Sequence, residues 1–200
     1  EGNPVRKASS DVAEPTIRYD VNDSSPLKLL VVGGSLGAQV LNETLPKALA
    51  LIDRPFEVRH QCGRNNEAAT QAAYDSEALS AHQFTVQPFI DDMAAAYNWA
   101  DIVVCRAGAL TVTEIQNVGI AAIFVPLPSA VDDHQTANAR TLTSHKAGIL
   151  LPQSELTPKS LSSELAMLDR RACLEMAEKG HALANRHACQ QVADIIWQAL

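Results

Sequence analysis

From Leu27 onward the chain repeats one unit: a short strand-like run ending at glycine or proline, followed by a stretch of helical spacing. The runs are LKLLVVGG, FEVRHQCG, QFTVQPF, DIVVCRAG, AAIFVPLP and GILLP. Between them lie residues 36–52, the stretch after Arg64, DDMAAAYNWA, LTVTEIQNVG, HQTANARTLTSHKAG and the stretch from Thr157. Near-continuous apolar runs suit strands buried on both faces of a parallel sheet. The alternation predicts an α/β fold, a Rossmann-like doubly wound parallel sheet of about six strands with helices on both faces. The last segment, from about Arg170, has helical spacing with Val192, Ile195, Ile196 and Ala199 on one stripe, and an interruption is expected at Gly180. Residues 1–26 are rich in Pro, Ser, Asp and Asn, and Pro4, Pro15 and Pro26 are expected to break any regular element there. The chain therefore divides into an interdomain linker segment, 1–26, and one domain, 27–200.

Composition narrows the function classes. With 46% hydrophobic and 20% charged residues there is material for a folded core. A net charge of -7 and a pI near 5.3 argue against a nucleic-acid partner, because phosphate-backbone binders concentrate Lys and Arg on one face. Cys62, Cys105, Cys173 and Cys189 show no CxxC spacing, so neither a zinc site nor a disulfide framework is signalled. No apolar run reaches the roughly 20 residues that span a bilayer. The first residue is Glu1 rather than Met, which suggests a piece of a longer chain.

In open α/β sheets, ligands bind beyond the carboxyl ends of the strands, so the residues just after each strand are the candidates. GGSLGA (33–38) opens a helix, and its glycines let backbone approach a ligand while Ser35 offers a hydroxyl. The same residues also suit a tight turn with Ser35 as a helix cap, and they depart from GxGxxG. In CRAGALTVTEI (105–115), Gly108, Ala109 and Leu110 lead into a helix whose first amides lack partners and sit at roughly half a positive charge, a place for a diphosphate. Glu114 then poses an electrostatic question, since a carboxylate repels the anion those amides favour. Either Thr111 and Glu114 form a capping box, or Glu114 grips an uncharged part of the ligand.

Two further loops leave similar alternatives. In PFIDDM (88–93), Ile90 either flanks a flat base whose edge is read by backbone, or is a core residue beside an Asp91 or Asp92 cap. PLPSAVDDHQTAN (126–138) is long for a connection inside such a domain. Its Asp132, Asp133 and His134 form either a short metal-like cluster lacking a second ligand group or an ordinary helix start. Gln135 there offers a donor and an acceptor to sugar hydroxyls. Arg6, in GNPVR, is either an anion contact or a solvated side chain.

Taken together, GNPVR, VVGGSLGAQVLN, PFIDDM, ADIVVCRAGALTVTEI and DDHQTANAR resemble the carboxyl-terminal half of the bacterial UDP-N-acetylglucosamine:undecaprenyl-diphospho-muramoylpentapeptide transferases. The resemblance runs from residue 2 to the final helix, and GGSxGA with RxGAxTxxE is more specific than one glycine loop. It implies half of a two-domain GT-B glycosyltransferase: a domain that binds UDP-N-acetylglucosamine, while an absent amino-terminal domain binds the lipid-linked acceptor and supplies the general base. Carried over by position, it places Arg6 and Ser35 near the diphosphate, Ile90 at the uracil, and Ala109, Leu110 and Thr111 at the phosphates. Glu114 then meets the ribose hydroxyls and Gln135 the N-acetylglucosamine, with His134 as a second polar donor. It implies an inverting displacement with no cofactor, no metal and no catalytic residue in this half. It also implies a peripheral location on the cytoplasmic face of the bacterial inner membrane, with this half itself soluble. Two other readings remain: a stand-alone subunit docking onto a membrane partner, and a UDP-sugar epimerase, which calls for catalytic carboxylates and histidines in the cleft.

Overall fold

The structure, a computed structural model, describes residues 12–128 and 133–184. Its strands are β1 (Leu27–Val32), β2 (Phe56–Gln61), β3 (Gln83–Gln87), β4 (Ile102–Cys105), β5 (Ala121–Phe124) and β6 (Ile149–Leu150). All five pairings among them are parallel, in the order β3-β2-β1-β4-β5-β6. The helices are α1 (Pro15–Arg18), α2 (Gln39–Leu49), α3 (Glu67–Asp75), α4 (Met93–Trp99), α5 (Ala109–Val118), α6 (His134–Thr143), α7 (Pro158–Met167) and α8 (Arg170–Ala182). This is the doubly wound α/β architecture that the alternating units predict, with the Rossmann strand order.

The near-continuous apolar strands have a plain cause: the sheet is buried on both sides. Leu29, Val31, Ile102, Val104 and Ile123 point into one core with α2, α3, α7 and α8. Leu30, Val103, Cys105, Ala122 and Phe124 point into the other, with α4, α5 and α6. Successive side chains thus enter different cores, so nearly every position in β1, β4 and β5 is apolar.

Two local expectations are corrected. Pro15 does not break an element but opens α1, because a proline at the first helical position gives up an N–H that has no partner anyway. Gly180 does not interrupt α8, which runs on to Ala182 with Gly180 buried beside Ala147. The apolar stripe expected at Val192, Ile195, Ile196 and Ala199 lies outside the described residues.

Residues 12–26 are fastened to the base of the sheet by polar contacts. Tyr19 Oη donates to the Asp101 carbonyl at 2.7 Å and accepts from the Ala121 amide at 3.2 Å. Arg18 donates to the carbonyls of Ala13, Tyr97, Val118 and Gly119. From α8, the buried Arg170 guanidinium reaches the carbonyls of Asp23, Ser25 and Pro26. It also pairs with the carboxylates of Asp23 (3.3 Å) and Asp101 (3.5 Å), and Asp101 in turn accepts from the Lys28 amide at 2.8 Å. Burial, with a smaller push from the neighbouring Asp23 carboxylate, holds the Asp101 carboxyl above its ordinary range against the opposing pull of the Lys28 amide and Arg170. Replacing Arg170 by Met strips several carbonyls and the buried Asp101 carboxylate of their donor at once. It should cost about 3–5 kcal/mol in urea unfolding, whereas a loss below about 1 kcal/mol would show that the clamp is idle.

Candidate functional site

The order of the strands reverses between β1 and β4, so the loops that leave their carboxyl ends diverge and open a crevice. A cavity of about 340 Å³ lies there. Gly34 and Ser35 line it from the loop after β1, Phe89 and Ile90 from the loop after β3, and Leu110, Thr111 and Glu114 from α5. Ile90 is buried in the second core, as the core reading expects, and it also lines this wall. Asp92, as expected, caps α4 by accepting from the Ala95 amide at 2.9 Å.

The glycine loop is shaped by its contact with the loop after β2. Gly37 (φ +78°) and Gly63 (φ +87°) sit back to back in the left-handed region. A Cβ on Gly37 would fall 2.1 Å from the Cys62 carbonyl oxygen, and one on Gly63 2.2 Å from the Gly37 amide nitrogen. Arg64 N–H donates to the Ser35 carbonyl at 3.3 Å, and Asn66 Nδ2 to the carbonyls of Leu36 (3.3 Å) and Cys62 (3.1 Å). Ser35 does not cap a helix, since α2 begins later, with Ala38 at its N-cap. Ser35 is exposed and lines the cavity.

On the other wall, α5 starts at Ala109 with Gly108 as N-cap, and no side-chain cap hydrogen bond is made there. Thr111 is therefore the third helical residue and cannot pair with Glu114 in a capping box. The expectation of that box is corrected: Glu114 Oε2 accepts from the buried Tyr97 Oη at 3.2 Å instead. Burial first, and the neighbouring Glu114 carboxylate second, hold the Tyr97 phenol protonated well above its usual range, so it remains a donor. The first-turn amides of Ala109, Leu110 and Thr111 stay uncapped, while the carboxylate is held further along the same helix.

The first turn of α6 braces this arrangement. Gln135 Oε1 accepts from the amides of Ala107 (3.1 Å) and Leu127 (2.9 Å), and Asn138 Nδ2 donates to the Ala107 carbonyl at 3.1 Å. Both backbone groups of Ala107, the residue before the α5 cap, are thus held by α6. Gln135 consequently cannot offer its amide oxygen to a ligand; its Nε2 keeps two protons with no partner among the described residues. Asp133 caps α6 by accepting from the Thr136 amide at 3.4 Å, which is the plainer of the readings for that cluster, and His134 is the first residue of the helix. Asp132 and Arg6 lie outside the described residues. Among the described residues no group of three or more His, Cys, Asp and Glu side chains gathers as a metal site would, and no helix there is long and apolar enough to cross a membrane.

Comparison with known proteins gives the site its context. The model of the glycosyltransferase family 28 C-terminal domain matches residues 28–196. This chain belongs to that family. It is 87% identical over 199 residues to a UDP-N-acetylglucosamine--N-acetylmuramyl-(pentapeptide) pyrophosphoryl-undecaprenol N-acetylglucosamine transferase of Psychrobacter arcticus, covering 100% of this chain and 55% of that protein. It is 52% identical over 195 residues to the transferase of the same name from Aeromonas hydrophila, covering 96% of this chain and 52% of that one. The crystal structure of Acinetobacter baumannii MurG superposes with a TM-score of 0.90 at 44% identity, over 95% of this chain and 55% of that one. The chain spans about half the length of the curated relatives it matches.

Sequence reasoning missed Tyr97, which lines the cleft and holds Glu114, and His60, which lies behind the glycine loop. His60, on β2, is fully buried between Tyr74 Oη (2.9 Å from Nδ1) and Asn42 Oδ1 (3.0 Å from Nε2). Burial pushes its pKa down to about 3, so it is neutral in the folded protein. Because the unfolded chain titrates near pH 6.5, it takes up a proton that the folded state refuses as pH falls from about 6.5 to 3. His60 therefore contributes stability above pH 6.5 that is lost across that window. Urea unfolding of the wild type should lose up to about 1.4 kcal/mol per pH unit from this group, and His60→Gln should flatten the slope by that amount.

Proposed function

We propose that the cleft binds UDP-N-acetylglucosamine and that the chain is the donor half of an inverting GT-B transferase. In this reading the acceptor is a lipid-linked muramoyl-pentapeptide, taken by an amino-terminal half at the cytoplasmic face of the membrane. The observation that carries the reading is the division of labour along α5. Uncapped first-turn amides favour a diphosphate, and the Tyr97-held Glu114 carboxylate, five residues beyond Ala109, stands roughly 7 Å further along the axis. An acceptor of hydroxyl protons at that offset suits a ribose diol and repels a second anion. Ser35 then lies beside the diphosphate, Ile90 beside the base, and the Gln135 Nε2 donor and His134 toward the sugar, with Arg6 a further diphosphate contact. The domain division into a linker, 1–26, and a donor domain, 27–200, belongs to the same reading.

The chemistry follows from these positions. An acceptor oxygen attacks the anomeric carbon as the bond from that carbon to the β-phosphate oxygen breaks, so the configuration inverts and UDP leaves with the electron pair. Amides fixed at the α5 start stabilise the negative charge that develops on the departing diphosphate. The proton of the acceptor hydroxyl goes to a base on the other half. Leu36, Phe89, Leu110 and Leu127, all large and exposed at the strand carboxyl ends, form the face turned toward that half.

Titration calorimetry of this chain with UDP-N-acetylglucosamine tests the reading. Glu114→Ala should weaken binding by about 1.5–3 kcal/mol, since hydrogen bonds to a charged group are lost, and Tyr97→Phe by about 0.5–1.5 kcal/mol. An affinity unchanged by Glu114→Ala would remove that residue from the site and the reading with it.

A further inference from the structure

The buried polar chain behind the glycine loop has no role in the chemistry above. Asn42 Nδ2 donates to the Cys62 carbonyl at 3.0 Å, so its Oδ1 is the atom that faces His60. A carbonyl oxygen only accepts, and His60 Nε2 must therefore carry the ring proton. The ring is neutral, which leaves Nδ1 as an acceptor for the Tyr74 hydroxyl. Every polar side-chain atom in the line Tyr74–His60–Asn42 is accounted for, and the line ends on the Cys62 carbonyl. That carbonyl is the surface against which Gly37 is laid, and Asn66 bridges from it to the Leu36 carbonyl.

A fold needs no such line for stability. Apolar residues of the same shape are often neutral or better, whereas a fully satisfied buried network selects one arrangement over its neighbours. The arrangement selected here is the height and tilt of the loop that carries Ser35 into the cleft.

We infer that His60 is a positioning residue for the diphosphate. Through Asn42 it sets the Cys62 carbonyl, and through that carbonyl it sets the 33–38 loop against the ligand. This rests on the donor reading above and deepens it by separating recognition of the diphosphate from recognition of the nucleoside.

Uridine and UDP, titrated separately into this chain by calorimetry or amide NMR shifts, read the two contributions apart. Wild type should prefer UDP. His60→Leu should cut that preference by about tenfold, the scale of one lost charge-assisted hydrogen bond, with uridine affinity held. His60→Gln, whose amide can donate to Asn42 and accept from Tyr74, should restore the preference. A wild type that binds uridine and UDP equally would sink the donor reading itself. A His60→Leu protein with the preference intact, one that loses uridine and UDP alike, or a His60→Gln that restores nothing overturns only the positioning role. Should His60→Leu fail to fold, the wild-type imidazole nitrogen spectrum at pH 7 decides: a ring that is charged or protonated on Nδ1 overturns the inference.

Discussion

Leu29 pairs with Ile102 and Val32 with Cys105, so β1 lies against β4 although two whole strand-helix units come between them in the chain. Everything functional hangs on that pairing. It sends the chain outward to β2 and β3 on one side and to β5 and β6 on the other, which parts the loops at the carboxyl ends of the two central strands. Because β1 and β4 each feed apolar side chains into both cores, their pairing cannot slip by one residue without exchanging the contents of the two cores. The crevice is thus placed by burial, before any polar residue takes part.

Polar groups then divide the crevice electrostatically. A carboxylate near a helix start weakens an anion site, and a carboxylate drawn back to the Ncap–N3 positions would occupy the amides outright. Tyr97 prevents the second outcome by taking Glu114 toward α4, at a phenol whose own burial keeps it a donor. The first turn of α5 stays open, and α6 keeps Ala107 from drifting by holding its amide and its carbonyl together.

Much of the fold was readable because it depends on short-range pattern. LKLLVVGG and DIVVCRAG announce buried parallel strands by composition alone, and the turns after them announce where a ligand site opens. Helix registers were less readable. Thr111-x-x-Glu114 satisfies a capping pattern, yet Gly108 takes the cap because the chain enters α5 directly from the strand end, three residues earlier. Gln135 reads as a sugar ligand from its place in a long loop, and only the folded chain shows its oxygen spent on Ala107 and Leu127. His60 sits in FEVRHQ, where it takes the third place on the face of Phe56 and Val58, and its partners Asn42 and Tyr74 lie on two different helices, so no local spacing could have linked them.

The back-to-back contact of Gly37 with Gly63 has a consequence for how such chains can diverge. Two turns that touch backbone to backbone, with no side chain between them to absorb a change, cannot be edited one at a time. A residue inserted after β2 would lift the loop after β1 away from the cleft, and a side chain at either glycine would do the same. The two glycines therefore behave as one composite motif split across the sequence. A chain that kept GGSLGA while altering the turn at Cys62 and Gly63 would retain the familiar string of letters but lose the shape those letters stand for.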